Sequence, residues 1–148
     1  MKIVLVRPEY KSHIITPPLG IGYLSSYLKK HGIEVIIIDA LKDNLDCKST
    51  VKKILAEKPD VVGITCLTAF YIEVVKLSKL LKEHGLRVII GGVHPTFLPL
   101  QTLKDSKADF VVCGEGEITL LKLLQAKFVA KNIPGVYSLK NISKTTFI

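Results

Sequence analysis

Residues 87–96 read Arg-Val-Ile-Ile-Gly-Gly-Val-His-Pro-Thr, and this stretch decides the fold. Its aliphatic run predicts a buried strand over Arg87–Ile90, and a proline in a first turn predicts a helix over Pro95–Asp105. Gly91 and Gly92 end the strand and leave two successive positions without side chains. A planar or bulky group could therefore lie directly on the backbone at this strand end.

The same alternation of strand and helix runs through most of the chain. The predicted strands are Lys2–Val6, Glu34–Asp39, Asp60–Thr65, Arg87–Ile90 and Asp109–Val112. The predicted helices are Leu19–His31, Thr50–Lys58, Ala69–His84, Pro95–Asp105 and Glu115–Ala130. Five such repeats with right-handed crossovers predict an α/β fold, a doubly wound, flavodoxin-like sheet of five parallel strands in the order 2-1-3-4-5.

The last part of the chain changes character after residue 131. We therefore divide the chain into an α/β domain, residues 1–131, and a C-terminal β extension or linker, residues 132–148. Within the extension, residues 136–139 are predicted to form a strand that begins a hairpin, and residues 143–148 its partner. The chain is expected to be part of a larger polypeptide, with a catalytic domain beyond this linker.

The composition of the chain disfavours several classes of function. The 148 residues carry a net charge of +8, but the lysines fall on predicted outer helix faces without interleaved aromatic residues, which favours solubility over nucleic-acid binding. The longest apolar runs are too short to span a membrane. Cys47, Cys66 and Cys113 are an odd set without a Cys-x-x-Cys pair, which predicts reduced thiols in a cytoplasmic protein and no zinc or iron–sulfur site within this chain.

The carboxyl ends of parallel strands share one edge of the sheet, where ligands of open α/β folds bind. Two further turns reach this edge, Thr65-Cys66-Leu67 and Gly114-Glu115-Gly116-Glu117. The Thr65 hydroxyl could bond a ligand or serve a structural role, while Thr68 is predicted to cap the next helix. The acidic residues of the second turn could face a ligand or simply interact with the helix dipole.

The first turn, residues 7–18, is long for a connection between a strand and a helix, as functional loops often are. Gly20 and Gly22 follow it and permit either a close ligand or a tight contact between helix and sheet. His94 could cap a helix, face a ligand or be structural. Neither Gly-x-Gly-x-x-Gly nor a Walker pattern is present, so a phosphate-binding nucleotide site is weakly supported.

Taken together, several phrases resemble the cobalamin-binding domain found at the N-terminus of cobalamin-dependent radical S-adenosylmethionine enzymes. They are residues 17–32 (Pro-Pro-Leu-Gly-Ile-Gly-Tyr-Leu-Ser-Ser-Tyr-Leu-Lys-Lys-His-Gly), Asp39, residues 91–96, residues 109–117 and Ile133-Pro134-Gly135-Val136. Thr65-Cys66-Leu67 and Gly91-Gly92 resemble the Ser-x-Leu and Gly-Gly elements of cobalamin-binding folds more widely. A third element, Asp-x-His-x-x-Gly, is absent, because Lys11 and Thr16 flank His13 at its outer positions.

The resemblance implies cobalamin in its base-off form, without a protein imidazole on cobalt and with the nucleotide tail inserted at the sheet edge. Thr65 would bind that tail, and the paired glycines would make room for it. The positions that the resemblance assigns to the cofactor are Thr16, Pro18, Gly20, Thr65, Cys66, Leu67, Gly91, Gly92, His94, Gly114, Glu115 and Gly116. No catalytic residue and no protein metal ligand is predicted.

The resemblance does not extend to the Cys-x-x-x-Cys-x-x-Cys run that holds the iron–sulfur cluster of radical S-adenosylmethionine enzymes. The cluster, S-adenosylmethionine and the radical chemistry, of methyltransferase type, are therefore expected in a C-terminal barrel of the parent polypeptide, and this chain alone is expected to be inactive. Two alternatives remain. One is a cofactor-free, flavodoxin-like regulatory or docking domain, and the other is a nucleotide-binding enzyme of the same architecture.

Overall fold

Strands and helices alternate along residues 1–142, the part of the chain that the computed structural model describes. The strands are β1 (Lys2–Arg7), β2 (Glu34–Asp39), β3 (Val61–Thr65), β4 (Val88–Gly91), β5 (Phe110–Val112) and β6 (Val136–Tyr137). The helices are α1 (Leu19–Lys30), α2 (Cys47–Ala56), α3 (Tyr71–Glu83), α4 (Val93–Phe97), α5 (Pro99–Ser106), α6 (Gly116–Gln125) and α7 (Leu139–Ile142). A short 3-10 helix, Thr68–Phe70, precedes α3.

The strands form one sheet in the order β2-β1-β3-β4-β5-β6. The first five are parallel and confirm the predicted order, whereas β6 runs antiparallel to β5. Because the parallel strands all end at the same edge, the turns after β1, β3, β4 and β5 lie along one rim. No helix in residues 1–142 is long and apolar enough to cross a membrane.

Two separate cores cover the two faces of the sheet, because successive side chains of a strand point to opposite faces. One core surrounds Val4, Ile64 and Ile90 and includes Phe70 and the apolar sides of α2, α3 and α5. The other surrounds Ile3, Leu5, Val61 and Ile89 and includes the apolar sides of α1 and α6. We call these the α3 face and the α1/α6 face.

The predicted helix over Pro95–Asp105 is wrong as a single element. It divides into α4 and α5 at Leu98, whose φ of −131° and ψ of 59° are not helical. Pro99 follows directly, and a residue before proline is disfavoured in the helical region. The earlier start of the first part, at Val93, places His94 inside a helical turn.

The end of α6 and the start of α2 also differ from the prediction, and local chemistry explains both differences. The helix α6 stops at Gln125 rather than Ala130, because Lys127 and Phe128 adopt left-handed φ values of 49° and 67°. The helix α2 begins earlier than predicted, where the Asp46 carboxylate accepts a hydrogen bond from the Ser49 amide at 2.7 Å and caps the helix. That hydrogen bond also lowers the pKa of Asp46.

The C-terminal strand is shorter than predicted and pairs with β5. Residues Val136–Tyr137 pair with β5, and the chain then turns into α7, where the Asn141 side chain accepts a hydrogen bond from the Ser138 amide at 2.6 Å. Leu139 therefore begins a helix instead of ending a strand. The predicted partner strand, residues 143–148, lies outside the described residues.

Candidate functional site

A cavity of about 380 Å³ opens at the carboxyl edge of the sheet, between the first turns of α1 and α6. Its size is within the range of roughly 300–1,000 Å³ that is usual for small-molecule sites. The inner wall is the α1/α6 face of the sheet, and the side walls are Gly20, Ile21 and Leu24 from α1 and Gly116 and Leu120 from α6. The mouth faces the rim on which the predicted ligand-binding turns lie.

Strand register divides the wall into a mouth and a floor. Thr65, Gly91 and Val112 are in register on β3, β4 and β5 and form the row at the mouth. Leu5, Gly63 and Ile89 form the next row on the same face, two residues earlier in the strands and hence roughly 7 Å deeper. The floor is therefore aliphatic, and polar groups are concentrated at the mouth.

Three glycines of the cavity wall keep the cavity open, because a side chain at any of them would have room on the protein side. A Cβ atom added to Gly91 would come no closer than 3.6 Å to another atom, the Val112 carbonyl oxygen, and one added to Gly116 no closer than 3.8 Å. A Cβ at Gly20 would have nothing within 4 Å. Side chains at these positions would fit the protein itself but would project into the space of the cavity.

Gly92 is a glycine for another reason. Its φ is 113°, and a Cβ there would lie 2.6 Å from the backbone oxygen of Cys66. The Cys66 backbone is fixed in turn, since its amide donates to the Gly91 oxygen at 2.8 Å and its oxygen accepts from the His94 amide at 3.2 Å. A side chain at Gly91 would project into the cavity, whereas Gly92 is required by contact between two turns of the chain. That the paired glycines make room for a ligand stays a prediction.

The polar groups at the mouth come from two turns. Thr65 is half-buried, and within residues 1–142 no protein group hydrogen-bonds its hydroxyl, which leaves the hydroxyl able to bond a ligand. The turn after β5 contributes Gly114, the exposed Glu115 and the half-buried Glu117, which open α6. The two carboxylates also interact favourably with the positive end of the helix dipole.

Most of the predicted cofactor positions meet at this cavity. They are Gly20, Thr65, Gly91, Gly92, Gly114, Glu115 and Gly116. Thr16 and Pro18 line a separate groove between α1 and β2, and Leu67 is exposed on the rim outside the cavity wall. The Cys66 side chain is fully buried on the α3 face, where desolvation raises the pKa of its thiol to about 12.

His94 lies in the protein interior behind the rim. Its Nδ1 and the Thr68 hydroxyl are 3.0 Å apart, which corrects the prediction that Thr68 caps the following helix. The imidazole stacks on the ring of Tyr71 with 4.0 Å between the ring centroids, and the Tyr71 hydroxyl donates to Asp105 at 2.7 Å. Its Nε2 is buried without a hydrogen-bond partner among the described residues, and burial lowers the pKa of His94 while the Asp105 charge opposes that shift.

The turn between β1 and α1 is anchored at both of its ends. The guanidinium of Arg7 donates to both carboxylate oxygens of Asp39, at 2.8 and 2.6 Å, and to the Thr16 oxygen at 2.7 Å. At the other end, the ring of Tyr10 stacks on Phe70 with centroids 4.4 Å apart. The intervening residues 11–15, which include His13, form an exposed crest.

Sequence reasoning missed the floor of the cavity and the Arg7–Asp39 pair. Gly63 carried a usable signal, because a glycine within an otherwise aliphatic strand often marks a close approach by another group. The ion pair could have been found from opposite charges at the ends of two strands predicted to be neighbours. Among the described residues, no group of three or more His, Cys, Asp or Glu side chains is placed to hold a metal ion.

Comparison with known proteins gives the class to which this fold and cavity belong. Residues 10–124 match the B12 binding domain family, and the chain therefore belongs to that family. The match includes α1, the paired glycines and the turn into α6, which together form the cavity. It confirms the resemblance that the sequence motifs indicated.

Two relatives illustrate the context of such a domain. The chain is 35% identical, over 94% of its length, to an uncharacterized methyltransferase of Pyrococcus horikoshii, and it spans 32% of that protein. It is 33% identical, over 85% of its length, to an anaerobic magnesium-protoporphyrin IX monomethyl ester cyclase of Rubrivivax gelatinosus and spans 24% of it. The chain thus corresponds to a third or less of each relative.

A solved structure shares the fold. The radical S-adenosylmethionine methyltransferase TsrM of Kitasatospora setae, solved with cobalamin and a [4Fe–4S] cluster bound, superposes with a TM-score of 0.82. The similarity covers 93% of this chain and 28% of TsrM at 23% identity. At that identity the comparison supports the architecture and carries no residue roles.

Proposed function

We propose that this chain is a cobalamin-carrying domain that holds the corrinoid in base-off form, with the nucleotide tail in the cavity between α1 and α6. The observation that carries the proposal is a cavity of about 380 Å³ at the place where the B12 binding domain family match and the side-chain-free positions coincide. Its aliphatic floor suits an apolar heteroaromatic base. Its mouth offers the Thr65 hydroxyl and backbone groups of two glycine turns to the polar part of the tail.

Residues at different depths of the cavity would contact different parts of the nucleotide tail. Leu5 and Ile89 would pack against the base, and Leu5 covers Gly63 between them on β3, where an added Cβ would lie 2.8 Å from Leu5 Cδ2. Thr65 would donate or accept a hydrogen bond at the mouth. Gly91 would let the tail lie against the backbone of β4. When bound, the corrinoid supplies the methyl-transfer chemistry of its cobalt.

The absence of a protein imidazole on cobalt is the second part of the proposal. His13 is the histidine of the β1–α1 turn, and it sits on the exposed crest with Lys11 two positions before it. A carboxylate at that position would orient the imidazole and increase its basicity, and lysine cannot do so. His13 would therefore not serve as a ligand of the cobalt.

The parent protein is proposed to be a radical S-adenosylmethionine enzyme of methyltransferase type. The limited share of the relatives that this chain spans, 32% and 24%, leaves room for a barrel carrying the iron–sulfur cluster and S-adenosylmethionine. Exposed apolar side chains on the rim would be covered by that barrel together with the corrinoid. They include Ile14, Leu67, Val93, Phe97 and Ile118.

Binding of hydroxocobalamin to the purified chain tests the proposal. Equilibrium dialysis should show retention, and the absorption spectrum should be that of a base-off corrinoid. Cobinamide, which lacks the nucleotide tail, should bind at least about tenfold more weakly, because it cannot fill the cavity. Equal binding of the two corrinoids would contradict placement of the tail.

Reduction to the cobalt(II) form tests whether a protein imidazole binds the cobalt. The electron paramagnetic resonance spectrum should lack the splitting that an axial nitrogen produces, and His13→Ala should leave the spectrum unchanged. Nitrogen splitting that disappears in His13→Ala would overturn this part of the proposal. No retention of any corrinoid would favour the cofactor-free docking domain, and retention of a nucleoside diphosphate would favour the nucleotide-binding alternative.

A further inference from the structure

One hydroxyl joins the two glycine turns that border the cavity. Thr96 lies in α4, where its hydroxyl donates to the Gly92 oxygen at 2.7 Å and accepts from the Gly114 amide at 2.9 Å. Gly92 and Gly114 both line the cavity, whereas Thr96 does not. The half-buried Thr96 therefore contacts the cavity wall from behind.

The two bonds require a group that donates and accepts at once, and a hydroxyl is the smallest side-chain group that does so. The Gly114 amide lies at the start of a turn with a left-handed φ of 76°, and the next two residues, Glu115 and Gly116, complete the wall on the α6 side. Without Thr96, the Gly114 amide would lose its bond to α4, although the Cys113 thiol beside it would still donate to the Pro95 oxygen at 3.3 Å.

We propose that Thr96 is a positioning residue that fixes the Gly114–Gly116 turn against the Gly91–Gly92 turn and so sets the width of the cavity for the nucleotide tail. The inference rests on the proposed function, since it assigns Thr96 a role in corrinoid affinity. It goes beyond that function by placing a determinant of affinity outside the cavity wall.

The chain contains a matched control. Thr102 in α5 makes the same bond to the carbonyl four residues earlier, with its hydroxyl 2.8 Å from the Leu98 oxygen, and its further hydrogen bond is to Tyr71 in α3 rather than to a turn that borders the cavity. Thr96→Val and Thr102→Val each remove one such helix bond while keeping the shape of the side chain. Only the first also removes the acceptor of the Gly114 amide.

The experiment compares wild type with Thr96→Val, Thr96→Ser and Thr102→Val. In Thr96→Val, the heteronuclear ¹H–¹⁵N Overhauser effect of Gly114, Glu115 and Gly116 should fall, and the hydroxocobalamin Kd should rise about five- to tenfold, which is the loss expected for one hydrogen bond. Thr96→Ser should restore both values, because serine retains the hydroxyl. Thr102→Val should match wild type in both measurements, and urea unfolding should show similar stability for the two valine variants.

Three outcomes would overturn the inference. Normal affinity in Thr96→Val would do so, as would an unchanged Overhauser effect across the Gly114–Gly116 turn. An equal loss of affinity in Thr102→Val would attribute the effect to helix stability. Failure of wild type to retain hydroxocobalamin would instead overturn the proposed function and this role with it, and the wild-type measurement therefore separates the two cases.

Discussion

The two faces of the sheet end differently at the carboxyl edge, although the same strands build both. On the α3 face, Ile64 and Ile90 are fully packed and Phe70 closes the end of the core. On the α1/α6 face, Leu5 packs over Gly63, which precedes Ile64, whereas Gly91, which follows Ile90, leaves space that is part of the cavity. One residue of register thus separates a filled core from an open cavity, because adjacent positions in a strand face opposite ways.

A leucine-to-alanine substitution in one helix of each face should produce the largest difference in the free energy of unfolding. Leu77→Ala in α3 removes a side chain that is 1% exposed, while Leu120→Ala in α6 removes one that is 4% exposed and borders the cavity. Leu→Ala changes in cores cost about 2–5 kcal/mol depending on the void left behind. We expect Leu77→Ala near the upper end and Leu120→Ala near the lower end, because Leu120 already borders open space. Urea unfolding measures both.

Equal losses in the two leucine variants would mean that the α1/α6 face is packed as tightly as the α3 face. Corrinoid binding provides a second criterion, since Leu120→Ala should alter the Kd for hydroxocobalamin and Leu77→Ala should not.

Gly91 and Gly92 allow an open and a packed position to be compared at the end of one strand, β4. Gly92→Ala places a Cβ 2.6 Å from the Cys66 oxygen in a backbone with φ of 113°, and it should cost about 3 kcal/mol or more in the free energy of unfolding. Gly91→Ala should change stability by less than about 1 kcal/mol, because its Cβ meets only an ordinary contact at 3.6 Å. Gly91→Val should fold and yet lose hydroxocobalamin, as measured by dialysis.

Gly22→Ala is the control for the glycine pair, since a Cβ there has nothing within 4 Å and Gly22 does not line the cavity. A stable Gly92→Ala variant would show that the turn after β4 can move away from Cys66.

Acidification should produce the smallest effect, localised behind the rim. His94 is surrounded by Thr68, Tyr71 and Asp105, and burial lowers the pKa of the imidazole below its ordinary value near 6.5 despite the opposing Asp105 charge. The unfolded chain then binds a proton more readily than the folded one, so this contribution to stability is present above about pH 6.5 and is lost as the pH falls through the pKa of the folded state. The urea concentration at the unfolding midpoint of wild type should therefore decrease as the pH is lowered from about 7.5 to about 5.5.

Replacement of His94 isolates that contribution. His94→Gln should reduce the dependence of the urea midpoint on pH, whereas His84→Gln, at an exposed helix end, should retain it. A dependence that is the same in wild type and His94→Gln would assign it to other groups.

The sequence predicted the strands and their order because buried β-branched runs and the turns between them are local signals. It misjudged the helix after β4, although Leu98 before Pro99 was a readable boundary. The cavity was harder to predict. Thr65 and Gly91 are seen to share the mouth of the cavity only once the register of β3 and β4 is known, and Arg7 meets Asp39 only once β1 and β2 are paired. The different reasons for Gly91 and Gly92 depend on a single backbone contact with Cys66.

The two anchors of the β1–α1 turn make its crest independent of the core. Arg7 holds one end through Thr16, and Tyr10 holds the other through Phe70. Residues 11–15 lie between these fixed points. Insertions or replacements there should leave folding intact, so mutation can vary this exposed segment of the rim at little structural cost.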